Sequence, residues 1–131
     1  MPNVGLLIEF QDGRIKETSL GLAAAAEGQG RKLFAFAVDG PGEDAKSVLE
    51  EHGVGHIVNI TTGNANANWN PAVWTDAVVA AMENYGIDTL IGLTSPGGRE
   101  MLPRIAARLN APLVMDCIHI DLDDHTARTS Q

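Results

Sequence analysis

The sequence predicts a three-layer α/β/α domain in which a mostly parallel sheet lies between helices. Short apolar runs alternate four times with segments of helical periodicity. This alternation is typical of parallel strands joined by right-handed helical crossovers. A length of 131 residues fits one domain over residues 1–131, which can bury roughly two-thirds of its unfolded surface.

The first half contains two strand–helix units that end at glycines. Residues 4–10 are the first predicted strand, Asp12-Gly13 is a turn, and 17–27 form an alanine-rich helix that stops at Gly28. Residues 32–38 are the second strand. The next helix stops at Gly53, and its shared face carries Ala45, Val48, Leu49 and His52.

The middle of the chain contains the clearest amphipathic helix. Residues 56–60 are a short third strand, and 61–70, rich in Asn, Gly and Thr, form the longest loop. Pro71 suits a first helical turn, and Gly86 suits the end of the helix. Its apolar positions recur at helical spacing: Trp74, Ala77, Val78, Ala81, Met82 and Tyr85.

The last third repeats the unit and then changes character. Residues 89–93 are the fourth strand and 99–109 the next helix, in which Pro103 is tolerable only near the start. A further strand is expected to begin near Leu113. Beyond Asp116, apolar and polar residues alternate as in a half-exposed or edge strand. Residues 126–131 show neither a packed helix nor a strand with its own turn, so we expect the sequence to belong to a longer protein.

Composition argues against several classes of function. Nine basic residues against 17 acidic ones give a net charge of -8, so the charge that drives nucleic-acid binding is missing. The single cysteine, Cys117, excludes an internal disulfide and is interpreted as a small buried hydrophobe. No apolar run is long enough for membrane insertion, and no targeting segment precedes Val4. We therefore expect a cytoplasmic protein.

The turn between the fourth strand and the next helix is the strongest candidate for a binding site. The classical dinucleotide and Walker fingerprints are absent from this sequence. A looser adenine-nucleotide site remains open, after the second strand at 38–40 and after the fourth at Thr94, Ser95, Gly97, Gly98 and Arg99. Alternatively, the glycines only permit the turn, and Arg99 pairs with an acid or caps a carbonyl.

The sequence gives weaker signals for a catalytic site, a metal site or a partner anchor. No nucleophile–base arrangement is recognisable, so no catalytic residue and no enzymatic activity are predicted. A solvated acidic edge is favoured over a metal site for the polar residues near the end, His119, Asp121, Asp123, Asp124 and His125. Trp74 is expected in the core, whereas Trp69 is a candidate exposed anchor for a partner.

One segment carries a family resemblance. Gly98-Arg99 is followed by Pro103-Arg104 and then by Ala106-Ala107-Arg108-Leu109. This run, with the opening Leu-Leu-Ile-Glu strand, resembles electron transfer flavoprotein alpha subunits over nearly the whole chain. The resemblance implies an adenine-nucleotide-hydrolase-like (Rossmann-like) fold and an N-terminal domain that scaffolds a heterodimer with a beta subunit.

The resemblance also implies what lies outside this chain. The family carries electrons from dehydrogenases to a quinone oxidoreductase or another acceptor, and FAD is held chiefly by a second, C-terminal domain of the alpha subunit. No cofactor is then expected in residues 1–131. Structural or interface roles are implied for Gly98, Arg99, Pro103 and Arg104. The alternative is a free-standing adenine-nucleotide-binding domain of the stress-protein type.

Overall fold

The computed structural model describes residues 3–62, 70–115, 117–122 and 126–129. In chain order, the elements are β1 (Asn3–Leu7), β2 (Phe10–Gln11), β3 (Arg14–Ile15), α1 (Glu17–Ala26), β4 (Lys32–Val38), a 3₁₀ turn (Gly42–Ala45), α2 (Lys46–Glu51), β5 (His56–Ile60), α3 (Pro71–Tyr85), β6 (Ile87–Gly92), α4 (Pro96–Leu109), β7 (Cys117–Asp121) and β8 (Thr126–Thr129).

A four-stranded parallel sheet with the order β5-β4-β1-β6 forms the centre. Successive residues of β1 point to opposite faces, so each face builds its own core. Leu6 packs on the side of α1 and α2, whereas Leu7 packs on the side of α3 and α4. The predicted three-layer, Rossmann-like arrangement is confirmed.

The first strand is shorter than the predicted 4–10. Strand β1 ends at Leu7, and Phe10 belongs to a small hairpin in which Phe10 pairs with Ile15. Asp12 and Gly13 both have positive φ, 53° and 76°, as a type I′ turn requires. The predicted Asp-Gly turn is therefore correct, but it closes a separate two-stranded sheet.

Helix α4 begins earlier than predicted, at Pro96 rather than residue 99. Pro103 consequently lies in the helix interior, and the expectation that it sits near the start is wrong. A proline there removes the N–H that would bond to the carbonyl of Arg99 and costs about 3 kcal/mol. Both residues are exposed, so water can hydrate that carbonyl. The buried Met101, Leu102 and Ile105 offset the cost.

The C-terminal part departs most from expectation. No strand begins near Leu113: residues 111–115 have no regular secondary structure, and Leu113 and Val114 are exposed. Strand β7 pairs antiparallel with β8, so the expectation of no strand after residue 125 is also wrong. The alternation beyond Asp116 did indicate a strand outside the sheet centre. Its antiparallel partner was missed because that pairing leaves no local signal.

Side-chain hydrogen bonds attach this hairpin to the main domain. The Gln29 amide donates to the carbonyl of Ile120 at 3.2 Å and accepts from the N–H of Leu122 at 2.8 Å. Leu122 is 3% exposed and joins the core beside α1. The hairpin therefore docks on the helical layer of α1.

Candidate functional site at the carboxyl ends of the strands

The strand order places the topological switch point of the sheet between β1 and β6, and the strand ends there are called the crevice below. Strand β1 has β4 on one side and β6 on the other, with α1 and α2 on one face of the sheet and α3 and α4 on the opposite face. The chain thus adds β4 and β5 on one side of β1 and then returns to add β6 on the other side. In open parallel sheets, ligands bind outside the carboxyl ends of the strands at such a switch point. Glu9 follows β1 here, and Ser95 follows β6.

Ser95 is the N-cap of α4. Its Oγ accepts a hydrogen bond from the Gly98 N–H at 3.1 Å, and Pro96 occupies the first helical position. A cap satisfies one of the donors that a helix start leaves unpaired. The sequence pattern had identified this turn, and the structure shows that its serine caps helix α4.

The two glycines of the turn have different roles. Gly98 is buried, and a Cβ there would overlap the carbonyl oxygen of Leu93, a backbone atom that cannot move aside. A Cβ on Gly97 would meet only Ser95 Oγ, at 3.9 Å. Gly98 is thus required by a close approach of two backbones, and Gly97 is not.

Glu9 joins the ends of β1 and β6 and was missed as a site residue. Its Oε2 accepts from Ser95 Oγ at 2.5 Å, and its Oε1 accepts from Lys16 Nζ at 2.9 Å. Its own N–H donates to the Oγ of Ser19, a side chain with no exposed area, at 2.8 Å. A carboxylate thus stands at the positive end of the α4 dipole.

A second, similar connection joins the ends of β4 and β5. Asp39, with φ of 50°, accepts from the Thr62 N–H at 2.9 Å and from Thr62 Oγ1 at 2.5 Å. Its N–H donates to the carbonyl of Ile60 at 2.7 Å. A Cβ on Gly40 would collide with the Phe10 ring, which covers this loop. The 38–40 candidate is therefore held to its neighbouring strand.

The arginine of the turn donates a hydrogen bond to the backbone of the same turn. Arg99 is exposed, and its Nε donates to the carbonyl of Thr94 at 3.2 Å. This is the carbonyl-capping role foreseen as the alternative to ligand contact. Arg104 pairs with Glu100 at 2.7 Å, and Pro103 lies exposed beside it. Arg99, Pro103 and Arg104, called here the outer face of α4, are thus exposed, whereas Gly98 is buried.

The remaining sequence candidates are the two tryptophans and the polar residues near the end. Trp69 and residues 123–125 fall outside the described residues, and Trp74 packs partly buried against the α3–α4 core. The described residues contain no group of three or more histidine, cysteine or acidic side chains placed to hold a metal. Within the same ranges, the helices are too short or too polar to cross a membrane.

A sequence signal for Glu9 and Asp39 did exist. Each acid comes just after an apolar strand, and each hydroxyl partner comes just after the neighbouring strand. The carboxyl ends of parallel strands meet at one edge of a sheet, which brings such residues together. Strand order is needed to pair them, and no local pattern supplies it.

Comparison with known families gives one match. Residues 4–130 match the family model described as the electron transfer flavoprotein domain. No curated protein matched the chain.

Proposed function

The chain belongs to the electron transfer flavoprotein domain family, and from that premise we propose that it is the N-terminal scaffold domain of an alpha-type subunit. In this role it pairs with a beta-type subunit and holds the heterodimer together. The complete protein then carries electrons from dehydrogenases to a quinone oxidoreductase or another acceptor. The chain is an electron-carrier component and not an enzyme, and we place it in the cytoplasm.

The polar groups at the carboxyl ends of the strands bond to one another, and this supports a scaffold role. The Ser95 hydroxyl bonds to α4 and to Glu9, and the Asp39 carboxylate bonds to Thr62. Polar groups that bond to one another hold neighbouring strands together. This single observation carries the proposal, because these two loops are where a nucleotide would have been held.

Flavin binding is proposed to lie outside residues 1–131. The resemblance assigns FAD to the second domain of the alpha subunit, and the dinucleotide fingerprint is absent from this sequence. Flavin titration of the 131-residue chain, followed by absorbance and fluorescence, should give no bound FAD. Tight binding of FAD to this chain alone would contradict this assignment.

The outer face of α4 is the proposed contact for the second subunit. Arginine is enriched at protein interfaces, and here two arginines flank an exposed proline on a rigid helix. Reversing the charge of Arg104 should therefore weaken a heterodimer, whereas reversing a charge on α2 should not.

Sedimentation with an electron transfer flavoprotein beta subunit tests this proposal. The unchanged chain should form a complex at micromolar concentration, and Arg104→Glu should weaken it about tenfold or more. Lys46→Glu is the matched control, because Lys46 is also exposed and pairs with an acid one helical turn away, Glu50. Absence of any complex would contradict the scaffold role, and equal loss in both variants would contradict the assigned face.

A nucleotide-binding domain is the second candidate. The start of α4 lies at the switch-point crevice, where adenine nucleotides bind in related folds. Calorimetry with AMP and ATP decides this alternative. Binding that Arg99→Ala reduces would favour it over the scaffold.

A further inference from the structure

Strand β5 presents an edge that can accept another strand. It lies at one end of the four-stranded sheet, and in the part of the chain that the structure describes it pairs with β4 alone. Its sequence contains no proline, lysine or carboxylate, the residues with which natural proteins block edge strands. We propose that the outer edge of β5 pairs with the same edge of a second copy of this chain in a symmetric homodimer. The inference goes beyond the scaffold role and is independent of it, because the proposed heterodimer contact lies on α4.

The backbone of β5 fits a two-fold pairing centred on Val58. The carbonyl of Ile60 accepts a hydrogen bond from the N–H of Asp39 at 2.7 Å, so the backbone groups of Ile60 face β4. Backbone groups alternate in direction along a strand, and those of Ile57 and Asn59 therefore point away from β4. In an antiparallel pair, Ile57 of each copy would exchange both of its backbone bonds with Asn59 of the other copy.

Charged side chains on the α2 side of the edge are complementary in this register. Glu43 is level with Asn59, whose side-chain amide donates to it at 2.9 Å. Helix α2 runs back toward the start of β5, so Lys46 lies further toward that start, where it lines a cavity together with His56. The two-fold axis reverses the strand direction, which sets Glu43 of each copy against Lys46 of the other. Opposite charges at such positions favour the pairing.

The rings on the α3 side of the edge fit the same register. His56 stacks on Phe34 with 4.5 Å between ring centroids, and Tyr85, which is 40% exposed, lies 5.6 Å from Phe34. The register sets His56 opposite Ile60 of the second copy and sets Val58 opposite itself. A cavity of about 240 Å³ borders the three rings. Dimer formation would therefore remove apolar surface from water on this side of the sheet.

The interface is small, so the dimer should be weak. One pair of five-residue strands with the side chains beside them belongs to the smallest class of interfaces, which is typical of transient association. The net charge of -8 on each copy also opposes the approach of two copies. We expect a dissociation constant on the order of 0.1 mM. The chain is then monomeric at the micromolar concentrations of the heterodimer test, so the two proposals can fail separately.

Sedimentation equilibrium of the 131-residue chain, from about 10 μM to about 1 mM, tests the homodimer. Glu43→Lys and Lys46→Glu should each weaken it about tenfold, because each sets like charges against one another. Combining the two substitutions should restore the dimer to within about threefold of the unchanged chain. Arg104→Glu on α4 is the matched control, since it makes the same change of charge as Lys46→Glu at an exposed position away from β5.

NMR spectra recorded over the same concentrations locate the interface. The backbone N–H signals of Ile57 and Asn59 should shift as the concentration rises, because these groups point out of the sheet and would bond to the second copy. The signal of Val58 should shift less, because its N–H faces β4. Shifts of Ile57 and Asn59 that appear only on addition of a beta subunit would assign the edge to that partner and contradict the homodimer.

Other outcomes would overturn the inference as well. A chain that stays monomeric at about 1 mM has no such interface. A double variant as weak as the single variants would contradict the register, and an equal loss in Arg104→Glu would reduce the effect to net charge. If circular dichroism shows that Glu43→Lys or Lys46→Glu is unfolded, Glu43→Gln or Lys46→Gln replaces it, with an expected weakening of about threefold.

Discussion

The ends of β1 and β6 and the ends of β4 and β5 are joined by similar hydrogen bonds with different surroundings. In each pair, a carboxylate accepts from a hydroxyl on the neighbouring strand end at 2.5 Å: Glu9 from Ser95, and Asp39 from Thr62. Glu9 also meets a lysine and the start of a helix, whereas Asp39 also accepts a backbone N–H. The first connection relies on charge, and the second on local hydrogen bonding at a residue with positive φ.

This difference predicts how each connection responds to substitution. At the β1–β6 end, packing of the turn around Gly98 and the ionic contacts of Glu9 both contribute to stability. At the β4–β5 end, removing the threonine hydroxyl should lower stability only through the loss of its hydrogen bond to Asp39, without a contribution from packing or from an ion pair.

The largest expected effect is at the glycine turn. Gly98→Ala should lower the free energy of unfolding by about 3 kcal/mol, because its Cβ overlaps the carbonyl of Leu93. Gly97→Ala is the matched control and should be neutral or stabilise by about 0.5 kcal/mol, as for an alanine in an unobstructed helical turn. Urea denaturation measures both, and equal effects at the two positions would contradict the assigned close approach.

Next comes the coupling between Ser95 and Glu9. Ser95→Ala should cost about 1–2 kcal/mol of unfolding free energy, since it removes the N-cap of α4 and one partner of Glu9. In a double-mutant cycle with Glu9→Ala, which removes the acceptor of the Ser95 hydroxyl, the coupling should be about 1 kcal/mol. Additive effects would mean that the hydrogen bond across the crevice contributes nothing, and Ser47→Ala on exposed α2 provides the control.

A smaller effect is expected at the β4–β5 end. Thr62→Val removes the hydroxyl that donates to Asp39 and should cost about 1 kcal/mol of unfolding free energy. The N–H of Thr62 still bonds to the carboxylate, so the loss is partial. Because this substitution removes no ion pair, its cost should be the same in 0.1 and 1 M salt; a strong salt dependence would contradict the contrast with Glu9.

The smallest effect is at Lys16. Lys16→Met should lower the unfolding free energy by about 0.5 kcal/mol in dilute buffer, because the ion pair with Glu9 is partly solvated. The cost should shrink in 1 M NaCl, where charges are screened. Denaturation at both salt concentrations checks this, with Lys46→Met on α2 as the exposed control. A cost that stays the same in high salt would indicate loss of packing instead.

Local patterns were enough for much of the fold. Asp12-Gly13 encodes its turn because both residues tolerate positive φ, and Gly86 ends α3 with φ of 64° for the same reason. Pro71 begins α3 after Asn70, whose side chain caps the helix. Each signal lies within a few residues of the structure that it specifies, so one sequence suffices to find it.

The sequence pattern also identified the candidate turn, but it did not show which contacts the side chains of the turn make. The strand–glycine–helix pattern identified residues 94–99, and the resemblance to electron transfer flavoproteins agrees with the family match over residues 4–130. Arg99 was a candidate both for ligand contact and for capping a carbonyl, and the bond of its Nε to the carbonyl of Thr94 is visible only in three dimensions.

What the sequence by itself determined was therefore the alternation of strands and helices, their caps and the family. Only the tertiary structure decided which distant groups meet: Glu9 with Ser95 across 86 residues, and Gln29 with the N–H of Leu122 across 93. Propensity and periodicity act over one or two turns of chain. Contacts between strand ends and the docking of a hairpin depend instead on strand order and on packing between layers, which no local pattern encodes.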